Sequence, residues 1–236
     1  MQKAIRIIAV VAVVGFIFAL IAYNASKPVE YKVWNEAMTI GNKDEAKHHF
    51  IMYTDIFCPY CDKFSNSVQA NMDEFKKKYI EEEKVLFEIR MTDINYVNGH
   101  SENSKPGGES SYCAADQGKF WEFYSAALAQ LYDDYHSKGI GVSIDSPKMP
   151  DLENDYFYAI AEKAELDVER FKTCLDNHEM EETLDRNTGR AQGVLQGVPF
   201  FVFDKYTTSG FLGNWNTTED WKQAKLMLDA GLSSKK

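Results

Sequence analysis

Two cysteines separated by two residues, in the run Cys58-Pro59-Tyr60-Cys61, form the most reactive pattern in the sequence. This spacing suits dithiol-disulfide exchange, in which one thiolate attacks a disulfide and the second thiol resolves the mixed disulfide. Unpaired N–H groups and the dipole at a helix start favour the thiolate of a cysteine placed there. We therefore expect Cys58 to be the nucleophile and leaving group, and Cys61, one turn further in, to be the resolving thiol.

The elements around this pair place it at the start of a helix. Residues 49–54 are rich in aromatic and β-branched side chains and predict a buried strand. Apolar residues then recur at helical spacing from Phe64 to Tyr79, with Pro59 in the first turn, where its missing N–H costs nothing. Residues 85–90 predict a second strand. The result is a strand-helix-strand unit with a parallel strand pair.

Two other uses of the cysteine pair stay open. A zinc site would need two further ligands, which Cys113 and Cys174 could supply, although a second closely spaced pair is missing. An inert structural disulfide is the other alternative, but a helix start directly after a buried strand is an unusual place for one. Position, context and spacing together favour the redox interpretation.

The middle of the chain is helical and its end returns to strands. Residues 98–108, which contain the run KPGG, predict a loop. Helical spacing follows in residues 113–131, 155–165, 168–175 and 181–192, with a loop at 139–150. Residues 199–203 and 207–212 predict a hairpin, and Thr217 with Asp220 fits a capping box at the start of a last helix.

The first 26 residues form a separate segment. After Lys3 and Arg6, residues 7–26 carry no charged side chain and are about as long as a helix that crosses a bilayer. A removed signal peptide is the alternative, but Tyr23 and Asn24 interrupt the small-residue pattern of a cleavage site. The positive charges before the span predict a cytoplasmic amino end, with the rest of the chain outside, where disulfides persist.

Composition excludes several classes of protein. The 236 residues are 44% hydrophobic and 14% aromatic, which is enough for a buried core. The formal net charge is -10 and no basic stripe occurs, which argues against a nucleic-acid partner. His48 and His49 would face opposite ways on a strand, so we do not expect them to bind a metal together.

Several segments, in the order of the chain, resemble those of the DsbA-type thiol-disulfide oxidoreductases, a family with the thioredoxin fold. They are TIGN at 39–42, DIFCPYC at 55–61, CAADQGKFW at 113–121, F-x-x-C-L at 171–175 and GVLQGVPFFV at 193–202. The resemblance is closest to the membrane-anchored or exported bacterial branch. It implies an α/β thioredoxin fold with an inserted α-helical domain, preceded by one N-terminal transmembrane helix.

The same resemblance divides the chain into four parts. Residues 1–26 would be the membrane anchor, and residues 27–97 the first part of the thioredoxin fold, with the CPYC motif. Residues 98–190 would form the inserted helical domain. Residues 191–236 would complete the thioredoxin fold with a cis-proline loop, a hairpin and a C-terminal helix.

The resemblance also implies roles for residues near the cysteine pair. It gives Pro199 a cis peptide bond with Val198, which would place backbone groups beside the Cys58 sulfur for strand addition by an extended substrate. Val198 would help to set the environment of the thiol and the grip on the substrate. Pro59 and Tyr60 would tune the thiol and hence the redox potential.

One position departs from the family pattern. Members often carry a buried acid on the strand six positions before the first cysteine, where it assists proton transfer to the second cysteine. Here that position is Met52. Asp55, Glu88 or solvent would have to substitute, or the transfer is unassisted.

The two remaining cysteines suggest a second bridge. If Cys58 pairs with Cys61, Cys113 and Cys174 can pair only with each other, and both lie on apolar helix faces. We expect a structural disulfide inside the helical domain, worth about 3 to 4 kcal/mol from the length of the loop it closes. Two buried free thiols are the alternative.

The sequence therefore predicts a thiol oxidase on the extracytoplasmic side of the cell membrane, held by a single-pass anchor. Its substrates would be exported, unfolded proteins with free cysteines, and the Cys58-Cys61 disulfide would serve in place of a separate cofactor. The resemblance implies reoxidation by a quinone-linked membrane partner of the DsbB or VKOR kind. A reductase or isomerase with the same fold, and a non-catalytic tethered peptide-binding chaperone, are the alternatives.

Overall fold

The computed structural model describes residues 32–143, 145–193, 195, 197–204 and 206–233. The segment 7–26, which the sequence predicts to be a membrane anchor, lies outside these residues. Within the described ranges, no helix is both long and apolar enough to cross a bilayer. Residues Val33–Lys236 cluster as one unit.

A mixed five-stranded sheet lies at the centre of this unit. Its strands are β1 (Thr39–Ile40), β2 (His48–Thr54), β3 (Val85–Met91), β4 (Phe200–Phe203) and β5 (Tyr206–Ser209). The strand order is β1-β3-β2-β4-β5, with β2 and β3 parallel and the other neighbours antiparallel. The predicted parallel pair is therefore present, and one of its members, β2, is the central strand of the sheet.

The α-helices of the described chain are α1 (Pro59–Ala70), α2 (Met72–Phe75), α3 (Ile94–Val97), α4 (Ser104–Asp116), α5 (Phe120–Asp134), α6 (Asn154–Lys163), α7 (Val168–Asp176), α8 (Glu181–Gln192) and α9 (Thr217–Ser233). Short 3-10 helices also occur at Glu36–Met38 and His136–Lys138. A π-helix, Lys76–Glu82, continues α2 towards β3. Helix α1 follows β2 directly and packs against α9. Helices α3 to α8 are all inserted between β3 and β4, and we call residues 94–192 the helical lobe.

The two faces of β2 have different neighbours. Phe50 and Met52 belong to the main core, which also contains the apolar residues of α1. Ile51 and Tyr53 belong to a smaller cluster on the opposite face. Because side chains alternate along a strand, Thr54 at the end of β2 faces the same side as Met52, towards α1.

The run KPGG, predicted as a loop, lies instead in the first turns of α4. Pro106 is the third residue of the helix, where no backbone N–H is required. The two glycines allow close packing: a Cβ at Gly107 would come within 2.5 Å of the Ile56 side chain, and one at Gly108 within 2.8 Å of Leu184. Here glycine permits α4 to approach its neighbours and does not reverse the chain.

Two other helix boundaries differ from the prediction. The predicted helix 113–131 is divided between α4 and α5, with Gly118 in the left-handed region at φ 68° between them. At the start of α9, Asn216 caps the helix, because its side-chain oxygen accepts hydrogen bonds from the N–H groups of Thr218 and Glu219. Asp220 is buried and accepts a hydrogen bond from the N–H of Asn214 instead.

Candidate active site

The cysteine pair lies where β2 ends and α1 begins. Cys58 is the N-cap residue of α1, and its sulfur accepts a hydrogen bond from the N–H of Cys61 at 3.3 Å. The sulfur therefore occupies the place that a serine or aspartate oxygen takes at many helix starts, where helix N–H groups stabilise negative charge. Both cysteines are free thiols in this structure.

The two thiols have unequal surroundings. Cys58 is 4% exposed, whereas Cys61 is fully buried. Burial raises the pKa of the Cys61 thiol well above its ordinary value, the Cys58 sulfur raises it further, and the Thr54 hydroxyl opposes the rise. Cys61 is therefore held protonated, which suits a thiol that reacts second.

The loop before β4 contacts the Cys58 sulfur. The Val198–Pro199 peptide bond is cis. The Cys58 thiol donates a hydrogen bond to the Val198 carbonyl oxygen at 3.4 Å. The Pro199 carbonyl accepts from the N–H of Gly210, which fastens this loop to the chain after β5. The structure thus brings Val198 and Pro199 beside Cys58, where the sequence analysis expected them.

Lys63, which no motif in the sequence marks, also belongs to the site. The Lys63 ammonium lies 4.7 Å from the ring centre of Tyr60 and 5.4 Å from that of Trp215. Burial lowers the pKa of Lys63, while the charges of Asp220 and Cys58 act in the opposite direction. Lys63 therefore supplies a positive charge that interacts with Cys58. Its position three residues after Tyr60, on the same side of α1, was the signal available in the sequence.

A buried contact between a carboxylate and an imidazole joins α1 to the helical lobe. Asp62 and His136 both have fully buried side chains, and the Asp62 carboxylate lies 3.1 Å from Nδ1 of His136. Burial raises the pKa of Asp62 to about 6, and the partner histidine opposes the rise. The pair fixes the first turn of α1 against the lobe. Nothing in the sequence pattern links these two residues.

Met52 is fully buried. Asp55 and Glu88, the two side chains expected to replace an acid at this position, lie in different parts of the structure. Asp55 is buried, and its two carboxylate oxygens accept hydrogen bonds from the N–H groups of Phe57 and Asn95, at 2.9 and 3.0 Å. Burial raises its pKa to about 7. Asp55 therefore holds the loop that carries Cys58 against the segment after β3.

Glu88 lies on the wrong face of the sheet to act on Cys61. It is the register partner of Ile51, so it shares the face opposite α1. There it pairs with Arg90 and with Nε2 of His49, at 3.0 and 2.8 Å. The neighbouring His48 pairs with Asp204, so the two histidines bind different carboxylates.

A cavity of about 530 Å³ opens beside Cys58. One wall is formed by the site itself, with Pro59, Tyr60 and Val198. The other wall comes from the lobe, through the segment around residues 94–103 and the loop around residues 141–151. Its lining mixes polar and apolar groups, which is suitable for an extended peptide segment.

Cys113 and Cys174 form a disulfide between α4 and α7, with a Cα–Cα distance of 5.9 Å. They are therefore neither buried free thiols nor thiolate ligands of a zinc shared with Cys58 and Cys61. The bridge lies wholly within the helical lobe.

A reactive thiol at a helix start, a buried second thiol and a cis-proline loop define a site for dithiol-disulfide exchange. A family model described as thioredoxin matches residues 34–224. "Probable disulfide bond formation protein D" of Bacillus anthracis is 25% identical over 197 residues, which is 81% of each chain. The chain therefore belongs to the thioredoxin family, and within it to the DsbA-type thiol-disulfide oxidoreductases.

Solved structures share this fold. Oxidised BdbD from Bacillus subtilis has a TM-score of 0.60 at 17% identity, covering 83% of this chain and 92% of that one. Oxidised Mtb DsbA has a TM-score of 0.52 at 16% identity, covering 84% of this chain and 99% of that one. At these identities the likeness supports the architecture, and the chemistry rests on the site described above.

Proposed function

We propose that the protein is an extracytoplasmic thiol oxidase that introduces disulfide bonds into exported, unfolded proteins. A substrate thiolate attacks the Cys58 sulfur of the Cys58-Cys61 disulfide, and Cys61 leaves as a thiolate that takes up a proton. A second substrate thiolate then attacks the substrate sulfur of the mixed disulfide. Cys58 leaves as a thiolate, so the substrate gains a disulfide and the enzyme gains two electrons.

The observation that carries the oxidase direction is the set of groups around the Cys58 sulfur. The Cys61 N–H donates to it at 3.3 Å, it caps α1, and Lys63 supplies a positive charge. These contacts stabilise the reduced form with a thiolate at Cys58. A disulfide whose reduced form is stabilised is a strong oxidant.

The cavity beside Cys58 supports unfolded protein as the substrate class. An extended segment lying along Val198 could pair with the backbone of the cis-proline loop and bring its cysteine to the Cys58 sulfur. The mixed polarity of the cavity favours no single side-chain sequence. It suits a protein that accepts many substrates.

We further propose the location and partner expected from the sequence. Residues 1–26 anchor the protein in the cell membrane, with residues 27–97 and 191–236 forming the thioredoxin core and residues 98–190 the helical domain. A quinone-linked membrane protein reoxidises the Cys58-Cys61 dithiol, and no separate cofactor is required. The name of the Bacillus anthracis relative, a disulfide bond formation protein, supports disulfide formation as the activity.

The test is oxidative refolding of a reduced, unfolded protein by the preoxidised enzyme. We expect the Cys58→Ser variant to lose the activity, while a Lys222→Gln variant, changed on the exposed face of α9, keeps it. Refolding at the wild-type rate by Cys58→Ser would overturn the proposal.

The redox potential separates an oxidase from a reductase or isomerase of the same fold. We expect a value nearer to the DsbA potential of about -120 mV than to the thioredoxin potential of about -270 mV. Equilibration with glutathione buffers of known ratio measures it. A value near that of thioredoxin would assign the opposite direction of electron flow.

A further inference from the structure

The proton of the Cys61 thiol must be exchanged from a fully buried position. Each redox cycle requires this thiol to lose a proton before it attacks and to regain one after it leaves. Cys61 is fully buried, and so is Met52, at the position where the resemblance led us to expect an acid. Asp55 is committed to two backbone N–H groups, and Glu88 faces the other side of the sheet.

The hydroxyl of Thr54 interacts with the Cys61 thiol. Thr54 is fully buried on the face of β2 that meets α1, one pleat beyond Met52. Its hydroxyl lowers the pKa of both the Cys61 thiol and the Tyr124 phenol. Its oxygen has no well-aligned hydrogen bond within the described part of the chain, so its proton is free to turn towards either group. A buried polar atom in this state requires an explanation.

Two further hydroxyls continue the path. The Tyr124 hydroxyl of α5 lies 2.9 Å from the Ser65 hydroxyl of α1, and both side chains are buried. Burial raises the pKa of Tyr124, while the hydrogen bond with Ser65 opposes the rise. Tyr124 therefore stays protonated, so it can pass a proton on without holding a charge.

The far end of this path reaches a second cavity. Ser65 and Tyr124 both line a space of about 280 Å³ that is partly open to solvent. It lies between α1, α5 and the β1 edge of the sheet, with Gln69 and Lys76 also on its wall. The cavity is distinct from the one beside Cys58, since the two share no lining residue.

From this arrangement we infer that Thr54, Tyr124 and Ser65 form a hydroxyl relay that carries the Cys61 proton to water in the cavity between α1 and α5. The inference rests on the proposed function, because it names residues that serve the same thiol exchange. The relay supplies the proton transfer for which the resemblance would expect an acid at the position of Met52. It lets the proton leave on the side of α1 away from the bound substrate.

The steps balance when the reduced enzyme is reoxidised. The Cys58 thiolate attacks a disulfide and forms a mixed disulfide, with one thiolate leaving. Cys61 then gives its proton to Thr54, each hydroxyl passes its own proton to the next, and water in the cavity receives one. The Cys61 thiolate attacks Cys58, the Cys58-Cys61 bond forms, and the second thiolate leaves. Substrate oxidation returns a proton by the same path.

Two charged groups, Asp62 and Lys76, lie near the relay. Asp62 acts electrostatically on Tyr124, but its carboxylate pairs with His136 within the lobe contact. Lys76 lies at the outer wall of the cavity. The charges of Asp62 and Lys76 can change the energy of a proton in the relay. The three hydroxyl groups are the ones that pass the proton on.

The experiment follows the two steps of glutathione disulfide reduction separately. Reduced protein is mixed with glutathione disulfide, quenched with acid at set times and analysed by mass spectrometry for the glutathione mixed disulfide at Cys58. In Tyr124→Phe and Thr54→Val we expect formation within twofold of wild type and resolution slowed about a hundredfold, the lower end of the range for a positioned proton-transfer group. The mixed disulfide should accumulate.

Two controls separate proton transfer from packing. Tyr112→Phe removes another buried hydroxyl of the lobe, which donates to the Met91 carbonyl, and should change neither step. Thr54→Ser restores a hydroxyl and should resolve at nearly the wild-type rate, with the wild-type solvent isotope effect.

Three results would decide against these assignments. Resolution within twofold of wild type in both Tyr124→Phe and Thr54→Val overturns the relay. Equal slowing in Thr54→Ser and Thr54→Val also overturns it, because packing would then be the cause. A wild-type protein whose Cys58 forms no mixed disulfide overturns the proposed function itself.

Discussion

Removing the disulfide between α4 and α7 should destabilise the protein by several kcal/mol. Cys113 and Cys174 are 61 residues apart in sequence. In the chain-entropy estimate, a bridge closing a loop of this length reduces the entropy of the unfolded chain by an amount worth about 4 kcal/mol at 25 °C. That is a large share of the roughly 5 to 15 kcal/mol by which natural domains are stable.

The assay must leave the bridge as the only variable. Cys58→Ser with Cys61→Ser provides a background without reactive thiols, and Cys113→Ala with Cys174→Ala is then added. Urea unfolding is followed by far-UV circular dichroism in both proteins. With a slope of about 2 kcal/mol per M, the expected loss of about 4 kcal/mol moves the midpoint by about 2 M.

The slope itself gives a second check. Without the bridge the unfolded chain is less compact and exposes more surface, so the slope should increase. A loss of less than about 1 kcal/mol with an unchanged slope would refute the reasoning. It would mean that the bridge does not restrict the unfolded chain as its loop length implies.

Three further predictions concern the charged groups of the site. The pKa of Asp55 is about 7 in the folded protein and 3.8 ordinarily, so the folded state favours the protonated carboxyl group. The contribution of Asp55 to the free energy of unfolding should therefore fall by up to about 4 kcal/mol as the pH rises from 4 to 7. Asp55→Asn should remove this fall and leave the one due to Asp62. An equal decrease in the free energy of unfolding between pH 5 and pH 8 in the two proteins, measured by urea unfolding, would contradict it. Lys63→Gln should slow alkylation of Cys58 by iodoacetamide severalfold at pH 7, and equal rates would show that the lysine charge does not act on the thiol. His136→Phe should lower the free energy of unfolding by about 3 kcal/mol at pH 8, where the buried Asp62 carboxylate loses its partner, and by less at pH 5, where Asp62 can be protonated. An equal loss at both pH values would show that packing alone is responsible.

The reactive pair could be located from sequence because its signals are local. Cys58 and Cys61 follow a strand pattern and open a helical one, so adjacent residues sufficed to place them. Resemblance to the DsbA type then pointed to Val198 and Pro199, which lie far away in the chain. The disulfide between α4 and α7 could be predicted because, once Cys58 is paired with Cys61, only Cys113 and Cys174 remain.

The supporting residues could not be predicted because they are ordinary side chains brought together only by folding. Ser65 and Tyr124 are 59 residues apart, and neither type marks a function in a sequence. Asp62 and His136 belong to different parts of the fold. The glycines of α4 misled the prediction for a related reason: a missing Cβ serves a turn and a tight helix contact equally well, and only the packing partner distinguishes them.

The insertion of the helical lobe between β3 and β4 has a consequence for the order of folding. Phe50 pairs with Phe203, so closing the sheet joins residues about 150 positions apart, at an entropic cost of about 4 to 5 kcal/mol. Contacts within the lobe are shorter in sequence, and a lobe that forms first draws the ends of β3 and β4 together. Val198 and Pro199 arrive with β4, so Cys58 meets its backbone partner only when the sheet closes. The protein should therefore acquire its peptide-binding surface late, after the lobe and its disulfide are in place.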